Sequence, residues 1–115
     1  MIELSIIAPT YNEEEAVNPF LDRLAEILPQ ATEAYEIIFV DDGSADATVA
    51  RILDRRKDDA RIKLLRLSRN YGKEVALTAG LDCAAGAAAI PMDVDLQDPP
   101  ELIPEMVEKW RAGAD

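Results

Sequence analysis

Apolar residues gather along this chain in short runs, separated by stretches of helical period. LSIIAP (residues 4–9) carries β-branched residues and closes at Pro9, the pattern of a buried strand. Asn12 is placed to cap a helix that opens on three glutamates, which suit a helix N-terminus. Val17, Phe20, Leu21, Leu24, Ile27 and Leu28 follow at helical spacing, and Pro29 is expected to end that helix. YEIIFVDDGS predicts a second buried strand running into a turn. Asp46 or Ser44 can cap the helix after it, with Val49, Ile52 and Leu53 facing in. RIKLLRLS is a third strand whose alternating bases leave one face partly exposed. KEVALTAGLDCAAGA is a small-residue helix able to pack close to a sheet. AAAIPM is a short fourth strand. In DPPELIPEMVEKWRAG, Asp98 is the expected N-cap, Pro99 the first helical residue and Glu101 the partner in a capping box.

The order is therefore β-α-β-α-β-α-β-α. Apolar strands in strict alternation with helices imply a mainly parallel sheet flanked by helices, an α/β architecture. No internal repeat, low-complexity segment or linker interrupts it. With 115 residues, this is one domain or a piece of one. Four strands with no closing strand after the last helix read as the first half of something larger.

Composition narrows the chemistry. The net charge of −11 argues against nucleic acid as a partner, which requires a basic surface. Nine of the 12 bases nevertheless lie between Arg51 and Lys73. Most suit a solvated helix face and an exposed strand. Cys83 is the single cysteine, so no internal disulfide can form, and among alanines it is expected to be core packing. The absence of histidine removes Ser-His triads, Cys-His pairs and His-ligated zinc. No run approaches the ~20 apolar residues of a membrane span, and MIELSII enters a strand without a signal peptide.

Ligands of open parallel sheets bind beyond the carboxyl ends of the strands. After the four strands come PTYNE, DDGS, SRNYGK and MDVDLQD, so polar groups from four loops crowd one edge. RNYGKE lacks Walker spacing, and no GxGxxG occurs. Asp98 is accounted for as a cap. Asp93 and Asp95 are not: two carboxylates so close at a strand end repel unless a positive partner is present. A hard divalent cation with oxygen ligands is the natural one, and Gln97 offers a further oxygen.

Together APTYNEEE, VDDGSADAT, SRNYGKEVALTAGLD and MDVDLQDPPELIPEM closely resemble the family 2 glycosyltransferases of the GT-A fold. The nearest subgroup is the polyprenyl-phosphate glycosyltransferases. The motifs occur in the family's order over nearly the whole chain. The resemblance implies that residues 1–115 are the Rossmann-like nucleotide-sugar-binding half of a GT-A domain, with the acceptor half absent.

It also implies roles. Pro9, Tyr11 and Glu13 match the loop lining the nucleotide pocket. Asp41 and Asp42 match the second-strand acids, of which Asp41 is slightly favoured for the base contact because side chains alternate at a strand end. Arg69 and Lys73 fall in the third-loop motif, close enough to the nucleotide for a phosphate or pocket role. Asp93 and Asp95 match the DXD pair, the catalytic acids, with Asp95 and Gln97 as ligands of Mg2+ or Mn2+ and Asp93 nearer the sugar or ribose. The implied reaction is inverting transfer of a hexose from a UDP- or GDP-sugar to a polyprenyl phosphate. It would take place on the cytoplasmic side of a membrane by a membrane-associated full-length protein, of which this half is soluble. Two other readings compete: an acidic Mg2+-binding phospho-acceptor module, and a nucleotide-sugar pyrophosphorylase. The first would need a late lysine and a fifth βα unit, the second a Gly-rich loop after the first strand. Exposed sheet edges leave self-association open.

Overall fold

β1 (Leu4–Thr10) and β2 (Tyr35–Asp41) are buried almost end to end, as strands covered on both faces must be. In the computed structural model, which describes residues 1–95 and 99–113, they form the centre of a four-stranded sheet of order β3-β2-β1-β4. β3 (Ile62–Arg66) and β4 (Ala88–Pro91) flank them, and every pairing is parallel. The chain first builds away from β1 on one side and then returns to its other side. That reversal leaves a crevice at the carboxyl ends of β1 and β4.

Alternation along the strands divides the core. Leu4, Ile6 and Ala8 of β1 and Tyr35, Ile37 and Phe39 of β2 join α1 (Val17–Ala31), α4 (Ile103–Arg111) and Ile52 of α2 (Thr48–Arg56). Phe20 meets Phe39 edge to face at 5.9 Å, a favoured aromatic geometry. Ile7, Ile38 and Val40 form a smaller core with Ala76 of α3 (Lys73–Cys83). Gly80 brings α3 down onto the sheet: a Cβ there would lie 2.5 Å from Ile7 Cγ2 and 2.8 Å from Val40 Cγ2. Gly80→Val is therefore expected to destabilise the fold by about 2 kcal/mol through overpacking. Urea denaturation checks this, and an unchanged midpoint would show that α3 can lift without cost.

Several local expectations are corrected. Asn12 does not cap α1, which starts at Val17 without a side-chain cap; the three glutamates precede the helix. Pro29 lies inside α1, which continues to Ala31. So near the helix end, its missing N–H affects only the solvent-side turn at exposed Ala25. Leu53 is exposed and Val49 only partly buried, because α2 presents chiefly Thr48 and Ile52 to the sheet. Cys83 is exposed: α3 is an outer layer whose buried residues are Ala76 and Gly80. Pro99 precedes a 3-10 turn, Pro100–Leu102, and α4 begins only at Ile103. The Asp98 cap and the capping box fall outside the described residues. Glu101 is engaged by the Arg23 guanidinium.

Candidate functional site

The four loops after the strands are fastened to one another by their own polar groups. Asn12 adopts a positive φ of 53°, a conformation asparagine tolerates. Its N–H donates to Ser44 Oγ at 2.9 Å, and its Oδ1 accepts the Ala45 N–H at 2.8 Å. The Glu13 N–H donates to Thr48 Oγ1 at 2.8 Å. Asp46 accepts the Thr48 N–H at 2.9 Å, but neither it nor Ser44 is the cap expected of them: Ala47 holds the N-cap position of α2, without a side-chain cap bond. The first loop is thus tied to the second through its backbone, which leaves the Glu13 carboxyl to face the crevice.

Asp41 and Asp42 diverge. Asp41 is turned in and serves the turn, accepting the Ser44 N–H at 2.9 Å and the Ser44 hydroxyl at 2.6 Å. Asp42 follows the parity of Ile38 and Val40, on the α3 side of the sheet. There its carboxylate accepts the N–H groups of Tyr71 and Gly72 at 2.7 and 2.9 Å. Gly43, with φ of 86°, lies so close to the third loop that a Cβ would stand 2.9 Å from the Asn70 nitrogen. Asp42 and Gly43 together hold residues 70–72 in place, and Lys73 opens α3 immediately after.

A cleft of about 430 Å³ sits over this junction. Of the residues expected at the site, Pro9, Tyr11, Glu13, Asp42, Lys73, Asp93 and Asp95 line it. Asp41 does not, its carboxylate being turned to Ser44. Arg69 stands outside the lining, its guanidinium 5.1 Å from the centre of the Tyr71 ring, a cation–π contact. Gln97 lies outside the described residues. Thr10, Asn70 and Gly72 also line the cleft and were not anticipated. Asn70 and Gly72 belong to RNYGK, where attention to charge hid the neutral residues between the bases.

The electrostatics are lopsided. Lys73 Nζ rests 2.6 Å from Asp93 Oδ1. Burial pushes the Glu13 carboxyl above its ordinary pKa, and Asp95, Asp46 and Asp93 push it further. Glu13 and Asp95 also border an adjoining recess with Glu14, Glu15 and Asp46. Among the described residues that line the cleft, the carboxylates of Glu13, Asp42, Asp93 and Asp95 stand with the ammonium of Lys73. Among the described residues, no group of three or more potential ligands is closed into a cage for a metal ion. Mg2+ and Mn2+ do not require one, since they take one or two carboxylates and complete their shell with water and phosphate. Oxygen donors with an ammonium group already drawn against Asp93 fit such an ion.

Comparison with known proteins agrees with this architecture. An uncharacterized glycosyltransferase of Synechocystis sp. is 54% identical over 114 residues, covering 99% of this chain and 36% of its own length. The bactoprenol glucosyl transferase of Shigella phage SfV is 47% identical over 114 residues, covering 99% of this chain and 37% of its own. The chain thus spans little more than a third of either relative. A mannosyltransferase of Pyrobaculum calidifontis, solved with GDP-Man and Mn2+, superposes with a TM-score of 0.81 at 24% identity, over 98% of this chain and 32% of that one. This likeness establishes the GT-A fold. Residues 5–115 match the family described as Glycosyl transferase family 2, and with its motifs gathered around one cleft the chain belongs to that family.

Proposed function

We propose that this chain is the donor-binding part of an enzyme that moves a hexose from a UDP- or GDP-sugar onto a polyprenyl phosphate, with Mg2+ or Mn2+ bound. The observation that carries this reading is the convergence of Glu13, Asp42, Lys73, Asp93 and Asp95, from four separate strand ends, on one cleft. The likeness to a bactoprenol glucosyl transferase supports a lipid-phosphate acceptor. No helix of the described residues is long and apolar enough to cross a membrane.

Pro9, Tyr11, Glu13 and Asp42 would receive the nucleoside, while Asp41 holds the turn beneath them. Lys73 would pair with the diphosphate, with Arg69 on Tyr71 at the rim. Asp93 would lie nearer the sugar. Asp95 would hold the cation, and Gln97 is assigned beside it on the resemblance alone. A divalent cation held there would offset charge on the departing nucleoside diphosphate. An oxygen of the acceptor phosphate would bond to the anomeric carbon as the bond to the diphosphate oxygen breaks, and one such displacement inverts the centre. That oxygen is already anionic, so it needs little help from a general base and the lack of histidine is no obstacle. The test is transfer of labelled sugar by the full-length protein, from UDP-glucose, GDP-mannose and their relatives to undecaprenyl phosphate in vesicles. Failure with every donor would overturn the proposal.

A further inference from the structure

Asp93 carries a cation of the protein's own. Lys73 Nζ lies 2.6 Å from Asp93 Oδ1, in the cleft where Asp95 and Glu13 add two more carboxylates. The root of Lys73 is fixed, because Asp42 grips the backbone at Tyr71 and Gly72. Its end lies largely towards solvent: the side chain is 65% exposed, against 31% for Asp93. A lysine ammonium is a compact point charge on a flexible stem. It can leave Asp93 for another anion nearby without any change in the backbone.

We propose that Lys73 is a place-holder for the divalent cation, so that the ion binds well only when a nucleoside diphosphate draws the lysine away. The inference rests on the donor-site reading above and adds the order and coupling of binding. An incoming ion must either displace the ammonium from Asp93 or sit beside its positive charge, and both disfavour the ion alone. A diphosphate gives Lys73 a new partner and frees Asp93. The two ligands then assist each other by the same factor in either direction, as linkage requires. The consequence is an enzyme whose acidic cleft does not fill with cations before the donor arrives.

The experiment is Mn2+ titration of the protein, followed by the electron paramagnetic resonance signal of free Mn2+, with and without UDP or GDP. Lys73→Met is expected to bind Mn2+ alone about fivefold more tightly, the scale of an exposed ion pair worth at most ~1 kcal/mol. The same change should lessen the gain in Mn2+ affinity that nucleotide confers. Lys73→Arg, which keeps the charge, should behave like the parent. If the parent binds Mn2+ with nucleotide but Lys73→Met leaves the affinity for Mn2+ alone unchanged or weaker, the place-holder role is wrong and the donor site stands. If neither nucleotide promotes Mn2+ binding to parent or variant, the donor-site reading fails and this inference with it.

Discussion

On the proposed function, Asp95→Asn in the full-length protein is expected to lower sugar transfer by about a hundredfold or more, the scale of removing one group that stabilises charge at a departing oxygen. The substitution keeps the size of the side chain and a carbonyl oxygen but removes the negative charge. Asp95 is exposed on the cleft and is not part of either core cluster, so the fold should tolerate the change. Its loss should therefore show in turnover and in metal requirement, not in the denaturation midpoint. If Asp95 holds the ion as proposed, raising Mn2+ should recover part of the activity. A variant that transfers sugar at the parental rate at low Mn2+ would remove Asp95 from the metal-binding role.

The largest effect on stability is expected at the opposite edge of the sheet. Glu36 is fully buried near the start of β2, yet each of its oxygens is used. Oε2 accepts the Ser5 hydroxyl at 2.6 Å and the Ala85 N–H at 2.7 Å, and Oε1 meets Lys63 Nζ at 2.6 Å. Ser5 Oγ in turn accepts the Gly86 N–H at 2.9 Å, so one carboxylate ties β1, β2, β3 and the α3–β4 loop together. Glu36→Ala would leave the Ser5 hydroxyl and Ala85 N–H without this partner, whereas half-exposed Lys63 can turn to water. A cost of about 3 kcal/mol is expected, a large share of the ~5–15 kcal/mol that stabilises a domain. Glu36→Gln, which keeps an acceptor oxygen, should cost less.

The pH dependence has a definite sign. Burial raises the Glu36 pKa, but the hydrogen bonds from Lys63, Ser5 and Ala85 outweigh it and leave the group below its ordinary 4.5. A lowered folded pKa means that the contribution is complete above about 4.5 and is lost as pH falls through the folded value. The stability gap between the parent and Glu36→Gln should therefore narrow only below that pH. Urea denaturation from pH 7 to pH 3 measures it; a gap that stays constant would mean that the carboxylate's charge contributes nothing.

How far the chain could be read in advance follows from which forces act locally. The strands were legible because burial on both faces demands continuous apolar runs, and β1 and β2 have them. The site was legible as an edge, since parallel strands send all their following loops to one end. Individual polar contacts were not. Asn12 looked like a cap because helix capping is a local rule, but Ser44 and Ala45, some thirty residues away, compete for the same groups. Asp41 and Asp42 are adjacent and chemically identical. Only the position of the third loop, on the α3 side of the sheet, decides which of them reaches the cleft. Cys83 looked buried among alanines because small residues suit both a close helix–sheet contact and an outer helix face.

The most direct test of the donor-site account is calorimetric titration of UDP and GDP into the protein, with and without Mn2+, beside Asp95→Asn. The account predicts that one nucleotide binds, that Mn2+ strengthens it, and that the variant needs more Mn2+ for the same strengthening. A folded protein that binds neither nucleotide in the presence of Mn2+ would contradict it.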